Sequence, residues 1–317
     1  MLQSRPDNLI LLPTIPDLDT NILPQIVAAS VTEETFKLTS PDGMRLNVYG
    51  WSGEAVPDKV VVVVHGMGGH SGYYSTSLAP YLVPSGVVLY APDLRGHGHS
   101  EGKRGDISTF DFFQQDVETV MCWARLRHPA LPLFLLGESM GTCIAIICAA
   151  TASAAVRPDG LVLAACVIAP TVKPRADEIV RTLWYASRNR QKVALPITGR
   201  EEQGVRDLAF VQVLKSDVLF NRHVSVRFLT SMTRHMNRAA RLPQALHLPV
   251  LLLQGGHDFT IRFRPTRSFF KRIAVADKEM HIFPNAYHAI LNDPDSPQVR
   301  AKIIEWLNRQ TLHLQSK

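Results

Sequence analysis

The stretch from Leu133 to Ala150 constrains this chain more than any other. Leu133-Phe134-Leu135-Leu136 is a continuous apolar run, the pattern of a strand buried on both faces. Gly137-Glu138-Ser139-Met140-Gly141 follows, and then Thr142–Ala150, small and apolar enough for a buried helix. A serine between a buried strand and a buried helix sits on a sharp turn. A glycine two residues to either side lets the two elements approach without a Cβ clash. The turn lifts Ser139 Oγ above the sheet edge, and the N-terminus of the next helix favours negative charge developing there. Gly-x-Ser-x-Gly in this strand–turn–helix setting reads as a nucleophile elbow.

The rest of the chain repeats the rhythm. Thr35–Leu38 and Arg45–Tyr49, on either side of Ser40-Pro41-Asp42-Gly43, read as a hairpin. Lys59–His65 and Val87–Pro92 read as strands, as do Leu161–Pro170, Pro249–Gly256 and Lys278–Phe283. Helices are expected over Ile107–Arg127, near Phe263–Arg272 and over Gln298–Gln310; in the first, Phe110, Phe113, Val117, Val120 and Met121 share one face. Strands that are apolar on both faces and alternate with helices imply an α/β fold, a mostly parallel sheet covered on both sides.

From Thr171 to about Gln244 the rhythm breaks into helical, basic, amphipathic sequence with no convincing central strand. The expected organisation is therefore an irregular arm over residues 1–30, a first core segment over 31–170, a helical cap over 171–244 and a second core segment over 245–317. At 317 residues the chain can bury one large core and still carry such an insertion.

Composition narrows the function classes. The first residues have no basic region leading into an apolar run, and no stretch is long enough to span a membrane, so the expected compartment is cytoplasmic. Cys122, Cys143, Cys148 and Cys166 fall in apolar segments without metal-like or disulfide-like spacing, which reads as buried free thiols. The net charge is +6, yet residues 171–244 carry fourteen Lys/Arg against six Asp/Glu, so the basicity belongs to that segment and the remainder is slightly acidic. A pI near 9.2 raises nucleic-acid binding, but no aromatic-basic motif or known nucleic-acid module supports it.

A serine at an elbow is inert without a base to take its proton and an acid to orient that base. On this architecture the chain order is Ser, acid, His, with the latter two on loops after later strands. Asp258 follows closely on Leu251-Leu252-Leu253-Gln254-Gly255-Gly256, and His288 follows the last strand in Asn285-Ala286-Tyr287-His288. Each has a bland reading, Asp258 as a helix cap near Thr260 and His288 as a solvent-facing loop residue. Together, in order and at strand ends, they complete a catalytic set. The competitors fit less well: Asp277, Asp293 and Asp295 as acids, His257, His281 and His313 as bases.

The oxyanion needs preorganised donors. Met140 N–H, next after the nucleophile, is one. Met67 N–H is the other, from the loop His65-Gly66-Met67-Gly68-Gly69-His70, whose glycines bring the main chain close. A dinucleotide loop is disfavoured there because Ser71 stands where the third glycine belongs. A metal site built from His65, His70, His97 and His99 is disfavoured for want of a cysteine or carboxylate partner, leaving structural hydrogen bonds.

On these residues the chain resembles the serine α/β-hydrolases, and within them the monoacylglycerol lipase / lysophospholipase-like group. The matching pieces are His65–Tyr74, Asp93-Leu94-Arg95-Gly96-His97-Gly98-His99-Ser100-Glu101-Gly102, Gly137–Gly141, Leu251–Asp258 and Ala286-Tyr287-His288. They spread from about residue 35 to 310. Two positions depart from the pattern: Thr142, where the group usually has a second glycine, and Gly69, where many members carry Glu.

The resemblance implies a serine esterase without metal or organic cofactor. Ser139, His288 and Asp258 would be its triad, with Gly66, Gly68, Gly137 and Gly141 shaping the site and His65 in the supporting loop. It implies cleavage of a monoacylglycerol or similar single-chain lipid ester beneath a mobile cap. In that cap Ile179, Val180, Leu183 and Trp184 form an apolar stripe flanked by Arg181, Arg188, Arg190 and Lys192. The stripe fits either a helix packed on the core or a surface that meets anionic lipid. Lysophospholipase, thioesterase, C–C hydrolase and acyltransferase chemistry fit the same motifs, and a binding protein that keeps the fold remains a non-enzymatic alternative.

Overall fold

A computed structural model describes residues 30–169, 176–199 and 201–316. The arm expected over residues 1–30 lies outside these except for Ser30, as does the junction at residue 171. In chain order the strands are β1 (Val31–Thr39), β2 (Arg45–Gly53), β3 (Lys59–Val64), β4 (Val87–Pro92), β5 (Leu133–Glu138), β6 (Gly160–Ala164), β7 (Val193–Pro196), β8 (His223–Ser225), β9 (Val250–Gly255) and β10 (Lys278–Phe283). The helices are α1 (Tyr74–Ser77), α2 (Ala79–Leu82), α3 (Asp111–Arg127), α4 (Met140–Thr151), α5 (Ala176–Arg188), α6 (Glu201–Gly204), α7 (Leu208–Ser216), α8 (Val226–Ala239), α9 (Phe263–Arg272) and α10 (Ser296–Gln315).

Eight strands form one sheet in the order β1-β2-β4-β3-β5-β6-β9-β10. β1 and β2 run antiparallel at one edge, and every pairing from β4 through β10 is parallel. The apolar strands divide their side chains by the two-residue period of the pleat. Val60, Val62 and Val64 join Leu133, Leu135, Leu161, Leu163, Val250 and Leu252 on one face, beneath α3, α4 and α8. Val61 and Val63 join Phe134, Leu136, Val162, Leu251 and Leu253 on the other, against α10 and the α1–α2 turns. Each fully buried side chain of this kind contributes about 1.5–3 kcal/mol. Because the central strands are parallel, the turns after β3, β5, β9 and β10 gather at one sheet edge.

Between β6 and β9 the chain forms α5 to α8 and a separate antiparallel ribbon of β7 with β8. This segment is tied down at several points on that edge. Asn221 N–H donates to Gly68 O (2.8 Å) and its side-chain amide to Gly96 O (2.8 Å). Arg206 pairs with Asp293 (2.6 Å) and Asp295 (2.8 Å). Asp106, its side chain buried, takes Arg227 at 2.5 Å and the Ser225 hydroxyl at 2.6 Å.

Several expectations need correction. The strand expected over Leu161–Pro170 ends at Ala164, because Ala165 turns to φ 52° and breaks the ladder. Val167 and Ile168 stay buried beyond it, so the apolar run reported burial rather than strand. The β7–β8 ribbon was not foreseen, its strands being too short and mixed to show a period. α3 begins at Asp111 rather than Ile107, and α10 runs beyond both expected ends. All four cysteines are free, but Cys122 is exposed on α3 and Cys166 lies in the turn after β6.

Candidate active site

The elbow takes the strained form its glycines permit. Ser139 has φ 51° and ψ −118°, a conformation that non-glycine residues hold only when the surroundings fix it. Its N–H donates to Ala164 O at 2.9 Å, which ties the turn to the end of β6. A Cβ at Gly141 would stand 2.1 Å from Val64 O, and one at Gly137 would stand 2.6 Å from Gly141 O. Only glycine therefore lets α4 start hard against β3 and β5.

Three residues far apart in sequence meet here. His288 Nε2 lies 2.7 Å from Ser139 Oγ, and His288 Nδ1 lies 2.7 Å from Asp258 Oδ2. The helix cap of its bland reading is not what the structure shows, because the next helix, α9, begins only at Phe263 with Arg262 before it; Asp258 instead holds the turn that follows β9. Oδ1 accepts from Thr260 N–H (2.8 Å), the Thr260 hydroxyl (2.7 Å) and Ile261 N–H (3.1 Å). Oδ2 accepts a second bond from Gln254 Nε2 at 2.7 Å. Burial by itself would raise this carboxyl. The charge and hydrogen bond of His288, helped by the Thr260 donors, outweigh it and hold Asp258 below the ordinary carboxylate value.

The competing acids and bases are engaged elsewhere. Asp293 accepts from Tyr287 N–H (3.0 Å) and, with Asp295, holds Arg206. Asp277 accepts from Gln310 (2.9 Å). His257 Nδ1 lies 2.7 Å from Pro284 O, and His281 faces Glu279 at 3.2 Å.

The loop after β3 lies directly over the serine, for a Cβ at Gly66 would be 3.2 Å from Ser139 Cβ. Among the described residues no carbonyl accepts from Met67 N–H or Met140 N–H, so both are available as donors. His65 fixes the first of them. Its Nδ1–H donates to Gly66 O (2.8 Å) while its Nε2 accepts from Leu94 N–H (3.1 Å), which sets the tautomer. Gly66 O and Met67 N–H belong to one rigid peptide plane, so orienting the first orients the second. Burial lowers His65 to about 4 and the neighbouring His97 to about 3, so both rings stay neutral. Gly68, at φ 79°, closes the loop under Ile197, Phe220 and Asn221.

Of the remaining loop histidines, His70 Nε2 faces Asp217 (2.8 Å), and His99 N–H donates to Asp93 (2.8 Å). His97 Nδ1 lies 3.1 Å from Arg95 O.

Sequence reasoning missed Gln254, which secures Asp258, and Tyr74, whose hydroxyl donates to Glu138 (2.8 Å) next to Ser139. Burial raises the Glu138 carboxyl despite that bond. A glutamine inside an otherwise apolar strand was the available signal for the first. Nothing in the local pattern marks the second.

Chains built on this sheet with this elbow are serine hydrolases of the α/β-hydrolase class. The family described as serine aminopeptidase, S33, matches residues 55–295. Monoglyceride lipase of Homo sapiens is 31% identical over 278 residues, covering 86% of this chain and 88% of the relative. Monoacylglycerol lipase of Mycolicibacterium smegmatis is 28% identical over 289 residues, covering 89% and 99%. Among solved structures, Paleococcus ferrophilus monoacylglycerol lipase superposes with a TM-score of 0.71 at 25% identity, covering 89% of this chain and 99% of the other. The chain belongs to this S33 family of α/β-hydrolases and is a serine ester hydrolase.

Proposed function

We propose that this hydrolase cleaves monoacylglycerols or similar single-chain lipid esters through an acyl-enzyme on Ser139. The observation that carries the reading is the pair of 2.7 Å contacts joining Ser139, His288 and Asp258. Ser139 Oγ attacks the ester carbonyl as His288 Nε2 takes its proton, and Asp258 holds the imidazolium. Met67 and Met140 N–H receive the oxyanion. His288 then protonates the departing alcohol, and water hydrolyses the acyl-enzyme by the same route in reverse order.

The segment over residues 171–244 acts as the cap. Support comes from α5, where Ile179, Val180, Leu183 and Trp184 are 44–67% exposed. Two of them, Val180 and Trp184, line a surface cleft of about 610 Å³ together with Asp177, Arg181, Tyr185 and Ala194. An exposed apolar stripe beside Arg181 and Arg188 suits a helix that rests on an anionic lipid surface while substrate passes. Among the described residues no helix is long and apolar enough to cross a membrane. The same arginines favour, as a second reading, a single-chain lipid whose head group bears a phosphate.

The test is a panel of p-nitrophenyl esters from short to long acyl chains, beside a monoacylglycerol and a lysophospholipid, with Ser139→Ala as control. Turnover on the monoacylglycerol that disappears in the variant is the expected result. Preference for the lysophospholipid would select the second reading. Retained activity in Ser139→Ala would overturn the assignment of the nucleophile.

A further inference from the structure

Thr142, the residue that departs from glycine, is fully buried on the first turn of α4. Its hydroxyl makes two bonds. Oγ1–H donates to Ser139 O at 2.6 Å, and Oγ1 accepts from Val167 N–H at 3.0 Å. Ser139 O receives a second donor from Thr142 N–H at 2.9 Å. The carbonyl of the strained serine is therefore held from two directions, and its N–H is held by Ala164 O.

The other end of that bridge also matters. Val167 lies in the segment that leaves β6 through the φ 52° turn at Ala165 and leads toward the cap. Cys143, next to Thr142, places its Sγ 2.9 Å from Val167 O, so consecutive side chains of α4 grip both polar ends of one residue. Burial pushes the Cys143 thiol up to about 12, which keeps it a protonated donor. Farther along, Ala169 O accepts from Arg262 N–H at 2.9 Å. Glycine at position 142 would leave Val167 N–H buried without this acceptor and Ser139 O with one donor fewer.

We propose that Thr142 is a positioning residue for the nucleophile: its hydroxyl fixes the Ser139 backbone against the segment that enters the cap. The proposal rests on Ser139 being the nucleophile. Thr142 touches no substrate and acts through Ser139 alone. A nucleophile displaced by a fraction of an ångström reacts more slowly without binding substrate less well.

The experiment compares Thr142→Val, which keeps the volume and loses the hydroxyl, with Thr142→Ser, which keeps the hydroxyl. The readouts are kcat and KM on p-nitrophenyl butyrate, the second-order rate of inactivation by a fluorophosphonate, and Tm. Rates are normalised to titrated active sites, so unfolded material does not count. The expected result is a fall of about tenfold in both kcat and the inactivation rate for Thr142→Val, with KM within about twofold. Thr142→Ser should restore both rates to within about threefold.

Wild-type per-site rates in Thr142→Val, with only Tm lowered, would overturn the proposal and leave a structural role. Should the valine variant not fold, Thr142→Gly takes its place against Thr142→Ser under the same criteria. Failure of the underlying reading looks different: wild type would resist the fluorophosphonate, or Ser139→Ala would still react.

Discussion

Asp258 divides its two oxygens between different tasks, and substitution separates them. Oδ1 caps the Thr260–Ile261 turn, while Oδ2 accepts from His288 and Gln254. Asparagine keeps an oxygen for the turn but presents an amide N–H₂ to His288 Nδ1, where it cannot accept the hydrogen bond from Nδ1–H and brings no charge to steady the imidazolium. Asp258→Asn is expected to lower kcat on the order of 10⁴-fold while Tm stays within a few degrees. Steady-state kinetics beside a thermal melt would decide it. A matching collapse of Tm would mean that the residue serves mainly as a cap. The carboxyl is held below its ordinary value, so its contribution to stability is present above the unfolded value near 3.9 and is lost as pH falls below about 4.

Among the elements, the elbow and α5 carry opposite expectations. At Gly141 the constraint is contact, with Val64 O 2.1 Å from any Cβ. At Gly43, in the β1–β2 turn, φ is 85° but a Cβ would meet nothing within 4 Å. Gly141→Ala should therefore cost at least about 3 kcal/mol, because helix and strand must part, and Gly43→Ala only about 1 kcal/mol for its backbone. Urea denaturation of the two variants checks the order, and equal losses would contradict the close-approach argument. The α5 stripe should matter only where lipid is present. Replacing both Leu183 and Trp184 by Ser should slow turnover of a long-chain monoacylglycerol in anionic vesicles about fivefold, through lost apolar burial. It should leave p-nitrophenyl acetate untouched. Equal effects on both substrates would assign α5 to the core instead.

For the molecule as a whole, acid sensitivity follows from histidines buried as neutral rings. His65, His97 and His235 are pushed down to about 4, about 3 and about 4, in each case chiefly by burial. In the unfolded chain each titrates near 6.5. Between that value and about 4 the unfolded state binds protons that the folded state refuses, so stability falls as pH drops through this window. At pH 5 the loss is on the order of 1–2 kcal/mol per histidine. The urea midpoint should drop steadily from pH 7 to pH 5, and a flat profile would show that one or more rings accept a proton when folded.

What the residues alone determine is whatever depends on local pattern. Five valines in a row can only be a doubly covered strand. Gly137 and Gly141 around Ser139 impose a tight turn, and Asp258 follows an apolar strand and His288 the last strand, in the order the fold class dictates. Local pattern has no access to pairing across the chain. Tyr74 became visible as a site residue only when folding set α1 beside Glu138, 64 residues away, whereas Gln254 lies four residues from Asp258 and needed only the turn after β9 to bring the carboxylate back to it. The Leu161–Ile168 run looked like one strand because burial against α4 and burial in the sheet select the same kind of side chain. The arginine-flanked stripe of α5 fitted a buried or an exposed face equally, since a hydrophobic period says that a face is apolar and not what covers it. Thr142 is the sharpest case: a hydroxyl in an otherwise apolar stretch of the sequence, it becomes a bridge only because tertiary folding sets Val167 N–H on one side of it and Ser139 O on the other.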